Sequence, residues 1–322
     1  MSLKVLFAGT PSFALPSFAA CLEASEVVAV LTAPDAAKGR GRRLAPPPVK
    51  EAALEAGVPV LQPERLGSEA REAVSAYAAD LLVVAAFGRI FGPKFLSLFP
   101  LGGINVHPSL LPRHRGPTPI QATILSGDDS GGVTIQYLAP QLDSGDILAQ
   151  EAVPLKGSES YPDLEKRFSA LGGELLRRVL VDLEARTAVS YPQNNDEATY
   201  CPMIHKDDGR IDWSRRAIEI DRMARAYDPW PGLFTFLDGE RIAVKELALV
   251  EAPGRREAGP GEAGVGEAGP GCVVGVDKGL GILVQTGQHF VALRRLQPAG
   301  RKAMDHLAFL NGYPAVREAC FE

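Results

Sequence analysis

Apolar residues in the first half of the chain come in short β-rich runs: Val5 to Ala8, Val27 to Thr32, Val58 to Leu61, Leu81 to Phe87, Ile104 to Val106 and Val133 to Tyr137. Between them lie longer segments whose apolar positions recur at three and four residues, the spacing of one helix face. Strands that are apolar on both faces, alternating with helices, predict a Rossmann-like α/β fold, a mostly parallel sheet with helices on both faces. Tyr161 to about Ala185 is amphipathic throughout and predicts a long closing helix.

The pattern lapses at about Thr187. From 189 to 208 the chain is polar and turn-rich, and Pro192-Gln193-Asn194-Asn195-Asp196 offers nothing to bury, which predicts an interdomain linker. One domain is therefore expected over 1–188 and a second over 209–322. The second opens with a helix on which Ala217, Ile220, Met223, Ala224 and Tyr227 share a face, with Arg215, Arg222 and Arg225 opposite. Runs at Phe234 to Leu237, Ala243 to Val250, Cys272 to Val276, Gly281 to Gln285 and Phe290 to Leu296 then predict a smaller C-terminal β-barrel, OB-like in kind. Within it, 251–271 is almost wholly Gly, Ala, Glu, Pro and Arg, too little apolar surface to offset ordering entropy, so a mobile loop is expected.

Composition narrows the function classes. The chain is 46% hydrophobic and 23% charged, as globular proteins are. No apolar run approaches the roughly 18 residues of a membrane span, and no basic leader with a small-residue cleavage site precedes the first strand, so a cytoplasmic protein is expected. A net charge of −5 excludes a surface that holds nucleic acid everywhere, and from Asp207 onward 15 Lys and Arg face 17 Asp and Glu. RNA contact would have to come from local clusters. One is Lys38, Arg40, Arg42 and Arg43, interleaved with glycines and able to extend toward phosphates; another is Arg294, Arg295, Arg301 and Lys302. Cys21, Cys201, Cys272 and Cys320 are far apart and form no CxxC pair, which predicts unpaired thiols and neither a zinc site nor a disulfide framework.

The residues suited to chemistry follow two strands. Asn105-Val106-His107-Pro108-Ser109-Leu110-Leu111-Pro112 leaves the Ile104 run, and strand alternation puts Asn105 and His107 on one face. Gln141-Leu142-Asp143-Ser144-Gly145 leaves the Val133 run and would bring an acid to the same sheet edge, where ligands of open α/β sheets bind. An amide donor, an imidazole and a carboxylate together suit acyl-type transfer: an oxyanion stabiliser, a proton handler and its orienting partner. The Gly9 turn lacks the GxGxxG spacing of a dinucleotide site, so no nicotinamide cofactor is expected.

These two segments resemble the signature of the 10-formyltetrahydrofolate-dependent formyltransferases. The resemblance implies catalysis by Asn105, His107 and Asp143, folate contacts from Ser109, Leu110, Leu111, Pro112, Phe87 and Gly88, 10-formyltetrahydrofolate as co-substrate, and no metal. By itself the signature leaves the acceptor open, since glycinamide ribonucleotide and aminosugar formyltransferases share it and a formyltetrahydrofolate hydrolase would also fit. Four further stretches resemble the branch of the superfamily that formylates methionyl initiator tRNA: Gly9-Thr10-Pro11-Ser12-Phe13-Ala14, with Ser12 where Asp is commoner; Pro34-Asp35 through the Arg-rich segment to Pro47-Pro48-Val49-Lys50; Arg210-Ile211-Asp212-Trp213-Ser214 with Asp228-Pro229-Trp230-Pro231-Gly232; and Leu296 to Met304. His114 stands where an aromatic residue is usual. This branch implies tRNA contacts from Lys38, Arg40, Arg42, Arg43, Arg222, Arg301 and Lys302, and a monomer.

Phosphate contacts release counterions, so tRNA affinity should fall linearly in log salt, with a slope of about −0.7 to −0.9 per phosphate neutralised. Changing Arg40, Arg42 and Arg43 together to Gln is expected to make that slope shallower by about two to three units while folate binding is unchanged. Filter binding across a salt series checks this, and an unchanged slope would remove the segment from the RNA contact.

Overall fold

The computed structural model describes residues 2–38, 43–250 and 268–322. The chain divides into two compact units, the first comprising 1–123, 128–156 and 162–203, the second 124–127, 157–161 and 204–322. In chain order the first half contains β1 (Lys4–Gly9), α1 (Leu15–Ala24), β2 (Glu26–Leu31), β3 (Ala36–Lys38), β4 (Arg43–Ala45), α2 (Pro48–Glu55), β5 (Val60–Leu61), α3 (Ser68–Ser75), β6 (Leu81–Ala85), α4 (Pro93–Leu96), β7 (Gly103–His107), α5 (Pro119–Ser126), β8 (Ser130–Tyr137), β9 (Ile147–Pro154) and α6 (Tyr161–Glu184).

The main sheet has seven strands in the order β5-β2-β1-β6-β7-β8-β9. Pairings from β5 to β7 are parallel; those of β7 with β8 and β8 with β9 are antiparallel. Strand alternation sends Leu6, Ala8, Leu82 and Val84 to one face, where they pack with Ala70 and Val74 of α3 and with Phe91, Phe95 and Phe99. On the opposite face the Phe7 ring lies 5.3 Å from that of Phe18 on α1. There Gly172 of α6 comes so close to Val106 that an added Cβ would sit 2.8 Å from its methyl. Helices thus cover both faces, as the apolar strands require.

Three elements escape the hydrophobic pattern. After the buried Ile147, β9 alternates half-buried and exposed residues and carries Gln150 and Glu151, as an edge strand open to solvent on one face does. The short β3 and β4 pair as a hairpin, Lys38 opposite Arg43, at the base of the Arg-rich segment. Arg40 and Arg42 lie outside the described residues, as do 251–267 of the expected mobile loop. The 189–203 stretch, expected to link domains, belongs to the first unit: Tyr191 bridges Ile147, and Tyr200 bridges Arg115.

The second unit contains α7 (Ala217–Ala226), β10 (Leu233–Leu237), β11 (Glu240–Val250), β12 (Val273–Asp277), β13 (Gly281–Gln285), β14 (Phe290–Pro298), β15 (Met304–Asp305) and α8 (His306–Gly312). Its strands form an antiparallel sheet in the order β10-β11-β14-β13-β12, with β15 added to β14, and no ladder joins β10 to β12 among the described residues. Trp213 is buried and its indole N–H donates to Thr235 Oγ1 at 3.0 Å. α7 buries Ala217, Ile220, Met223 and Ala226, with Tyr227 just after it also buried, while the expected Ala224 is only half-buried. One expectation is overturned: Cys272 and Cys320 form a disulfide, while Cys21 and Cys201 are free and buried. The two cysteines are separated by 48 residues and meet because an antiparallel bridge lays the C-terminal segment beside the start of β12, a proximity that spacing cannot reveal.

A fragment ending after Met203 is expected to fold alone and to melt higher than one ending after Ser190. The shorter chain leaves the buried Arg115 guanidinium without Gln193, Asn195 and Tyr200, and an unsatisfied buried cation is destabilising. Thermal melts followed by circular dichroism compare the two, and equal midpoints would show that 191–203 adds nothing to the fold.

Candidate active site

β7 ends at the point where the sheet changes from parallel to antiparallel pairing, and its last residues carry the expected chemistry. Asn105 pairs with Gln136 of β8 and His107 with Thr134, so polar side chains stand opposite one another across the two strands. Asn105 is half-buried, and its side-chain amide has no hydrogen-bond partner among the described residues. His107 is 4% exposed.

The His107 ring is fixed by the backbone. Nε2 lies 3.0 Å from the His114 carbonyl, which accepts only, so the neutral ring carries its proton on Nε2. Nδ1 is then the basic nitrogen, and it lies 3.7 Å from Asp143 Oδ1. That separation is beyond a hydrogen bond, so the carboxylate acts on the ring through charge, while the loop carbonyl sets its orientation. Burial depresses the His107 pKa; Asp143 and the His114 carbonyl oppose the shift without cancelling it, and the His114 imidazole adds to it. The net direction favours the neutral ring at pH 7.

Asp143 reaches this position from a turn with φ +52°, left-handed backbone that Asp tolerates better than most residues. Gly116 N–H donates to its Oδ2 at 2.8 Å, and Gln136 Nε2 donates to its Oδ1 at 3.1 Å. Two residues on, a Cβ at Gly145 would lie 1.8 Å from the Tyr137 carbonyl, so only glycine closes the turn against β8.

The loop between β7 and α5 is braced internally. Ser109 Oγ donates to the Arg113 carbonyl at 2.7 Å, and Thr134 Oγ1 to the Ser109 carbonyl at 2.7 Å. Gln150 of β9 donates to the Leu111 carbonyl at 2.9 Å, and Leu111-Pro112 is cis. Leu111 is buried, while Leu110 and Pro112 are half-buried. His114, at φ +58°, places Nε2 2.7 Å from Asp128 Oδ2. Burial works against the Asp128 charge, but His114 and Arg113 outweigh it and hold the carboxyl below its ordinary range. At the end of β6, Phe87 is buried and stacks on Phe91 at 5.2 Å, and Gly88 is exposed at φ +78°.

The structure thus brings Asn105, His107 and Asp143 together and adds Gln136, Thr134 and Gln150, whose polarity inside strands was visible in the sequence but whose common face was not. The basic residues expected to meet RNA are distributed otherwise. Arg222 is half-buried with Nη1 3.4 Å from the Ser126 carbonyl, and Arg225 pairs with Asp221 at 2.9 Å. Arg301 is exposed with its guanidinium 5.6 Å from the Tyr313 ring centre, and Lys302 is exposed. Among the described residues no three His, Cys, Asp or Glu side chains cluster as metal ligands.

Comparison with known proteins fits this arrangement. Residues 1–180 match the formyl transferase family and residues 203–314 the formyl transferase C-terminal domain. The methionyl-tRNA formyltransferase of Treponema denticola is 41% identical over 328 residues, covering 99% of this chain and 100% of the relative. That of Chloroflexus aurantiacus is 43% identical over 315 residues, covering 97% and 98%. Among solved structures, an N-formyltransferase from Helicobacter canadensis in complex with folinic acid and dTDP-3-aminofucose shares the fold at TM-score 0.63 and 17% identity, covering 92% of this chain and 99% of that one. HypX from Aquifex aeolicus in complex with tetrahydrofolic acid does so at TM-score 0.61 and 16% identity, covering 97% and 48%.

His107 is expected to titrate below the ordinary histidine value of about 6.5, with the proton of the neutral ring on Nε2. Changing Asp143 to Asn should lower the midpoint further, because the carboxylate favours the imidazolium. The unfolded imidazole binds its proton first as pH falls, so this residue's contribution to stability is full above about pH 6.5 and is lost on acidification through the folded midpoint. Nitrogen-15 histidine spectra across pH report midpoint and tautomer, and a proton on Nδ1 of the neutral ring would contradict the arrangement.

Proposed function

As the chain belongs to the methionyl-tRNA formyltransferases and transfers the formyl group of 10-formyltetrahydrofolate to the α-amino group of methionyl initiator tRNA, we propose that Asn105, His107 and Asp143 carry that reaction. The supporting observation is their convergence at one sheet edge: a half-buried amide without a partner among the described residues, and a neutral imidazole whose basic nitrogen faces a carboxylate.

The acceptor amine, with a pKa of about 7.7 to 8.0, has an appreciable neutral fraction at pH 7. Its nitrogen bonds to the formyl carbon, and the carbonyl electron pair moves onto oxygen. The Asn105 amide donates to that oxyanion. His107 Nδ1 takes the proton released by the amine, and Asp143 stabilises the transient imidazolium. The same proton passes to N10 of the folate as its bond to the formyl carbon breaks, leaving tetrahydrofolate and N-formylmethionyl-tRNA for translation initiation. Electrostatic support by His107 as a standing cation is disfavoured by its burial.

Folate contact is assigned to the two loops flanking the site. Gly88, Leu110 and Pro112 offer accessible surface, whereas Phe87, Ser109 and Leu111 are buried and shape those loops. For tRNA, the assignment is Lys38, Arg40, Arg42 and Arg43 in the first unit and Arg301 and Lys302 in the second, with Arg222 contributing where its contact to Ser126 yields to a phosphate. The enzyme is read as a cytoplasmic monomer, a reading that a role in translation supports.

Replacing Asn105 by Ala is expected to lower kcat by about 10² to 10³, the usual effect of removing an oxyanion donor, with folate affinity nearly unchanged. The assay follows formyl-methionyl-tRNA, which also separates transfer from hydrolysis to formate. A folded variant retaining more than about half its turnover would sink the oxyanion role.

A further inference from the structure

Gln193 lies in the polar stretch that the hydrophobic pattern leaves without a task, yet it occupies the turn that carries Asp143. Its Nε2 donates to the carbonyls of Asp143 at 2.9 Å and Gly145 at 2.7 Å, and approaches Gln136 Oε1 at 3.1 Å. Gln136 in turn donates to the Asp143 carboxylate. One amide group therefore ties the left-handed residue, the glycine two residues after it and the side chain that orients its carboxylate.

The direction of that amide is dictated chemically. Gln193 Oε1 accepts from Arg115 Nε at 3.1 Å and Nη2 at 2.7 Å. Guanidinium groups only donate, so the oxygen must face Arg115 and the NH2 must face the carbonyls. Arg115 is 1% exposed, and its remaining partners are neutral, the Asn195 side chain at 2.8 Å and the Tyr200 hydroxyl at 3.2 Å. Among the described residues it forms no ion pair, so its donors depend on this segment for satisfaction.

We propose that Gln193, fixed by the buried Arg115, is a positioning residue for the reaction: it holds the Asp143 turn and thereby the reach of the Asp143 carboxylate to His107 Nδ1. This rests on the assignment of Asp143 and His107 given above. A left-handed non-glycine turn persists only where its surroundings over-determine it, and Gln193 supplies two of the hydrogen bonds that do so. Asp143 and the His114 imidazole are the charged or titratable groups that face His107.

The test compares full-length wild type with Gln193→Met, Gln193→Glu and Asp143→Asn, measuring kcat and KM for methionyl-tRNA formylation, thermal midpoint, and the nitrogen-15 titration of His107. Gln193→Met removes both polar ends at nearly constant volume. It is expected to lower kcat about 10- to 100-fold, the scale of a small displacement of a catalytic group, with KM for both substrates little changed. Its His107 midpoint should fall toward that of Asp143→Asn. Gln193→Glu keeps an acceptor for Arg115 but loses the NH2, so it should retain the wild-type melting midpoint and still lose turnover; it decides the question if Gln193→Met does not fold. Wild-type kcat and His107 titration in a folded Gln193 variant, beside an impaired Asp143→Asn, would overturn the positioning role alone. Wild-type turnover in Asp143→Asn would overturn the assignment of Asp143 and the inference built on it.

Discussion

In the role proposed for His107, an imidazole dry enough to stay neutral must still lie close enough to a carboxylate to bear a transient proton, and the end of β7 meets both conditions. Burial at the end of β7 lowers the proton affinity of His107, and Asp143 at 3.7 Å partly restores it. A direct hydrogen bond between the two would favour the imidazolium more strongly and leave less of the ring neutral and free to accept a proton. The His114 carbonyl takes over the task of orientation, leaving Asp143 to act at short range by charge. Loop conformation after β7 therefore matters as much as the side chains it presents.

The sheet supplies the rigidity that this spacing needs. Where β7 turns from a parallel partner to an antiparallel one, the cross-strand pairs Asn105 with Gln136 and His107 with Thr134 line up polar groups on a buried face. Buried polar groups must be satisfied, and nearly all of these are, through Gln150, Thr134, the Ser109 carbonyl and Gly116 N–H. The half-buried amide of Asn105 has no partner at this edge among the described residues, and His107 Nδ1 makes no hydrogen bond there, which suits the roles proposed for them.

In the second unit, function leans on placement of charge. With slightly more acid than base, the contacts proposed for it with tRNA require cations that are exposed and not already engaged. Arg225 is held by Asp221, and Arg294 lies 3.7 Å from Glu246, so two arginines of its local basic clusters are partly neutralised at home. Arg301 and Lys302, at the turn after β14, remain exposed.

Elements whose signal is local were legible in the sequence. The apolar runs of β1, β2, β6, β7 and β8, the amphipathic period of α6 and the paired motifs at Asn105 and Asp143 all follow from contacts within a few residues along the chain. Features that depend on what lies opposite were decided by tertiary structure. β9 hides because an edge strand need not be apolar. The Cys272–Cys320 disulfide, the choice of the His114 carbonyl over Asp143 to orient His107, and the use of Gln193 as a clamp each join residues distant in sequence, and no local pattern encodes such pairs. Hydrophobic periodicity reports which side of an element is dry; which polar groups meet there is set only when the chain closes on itself.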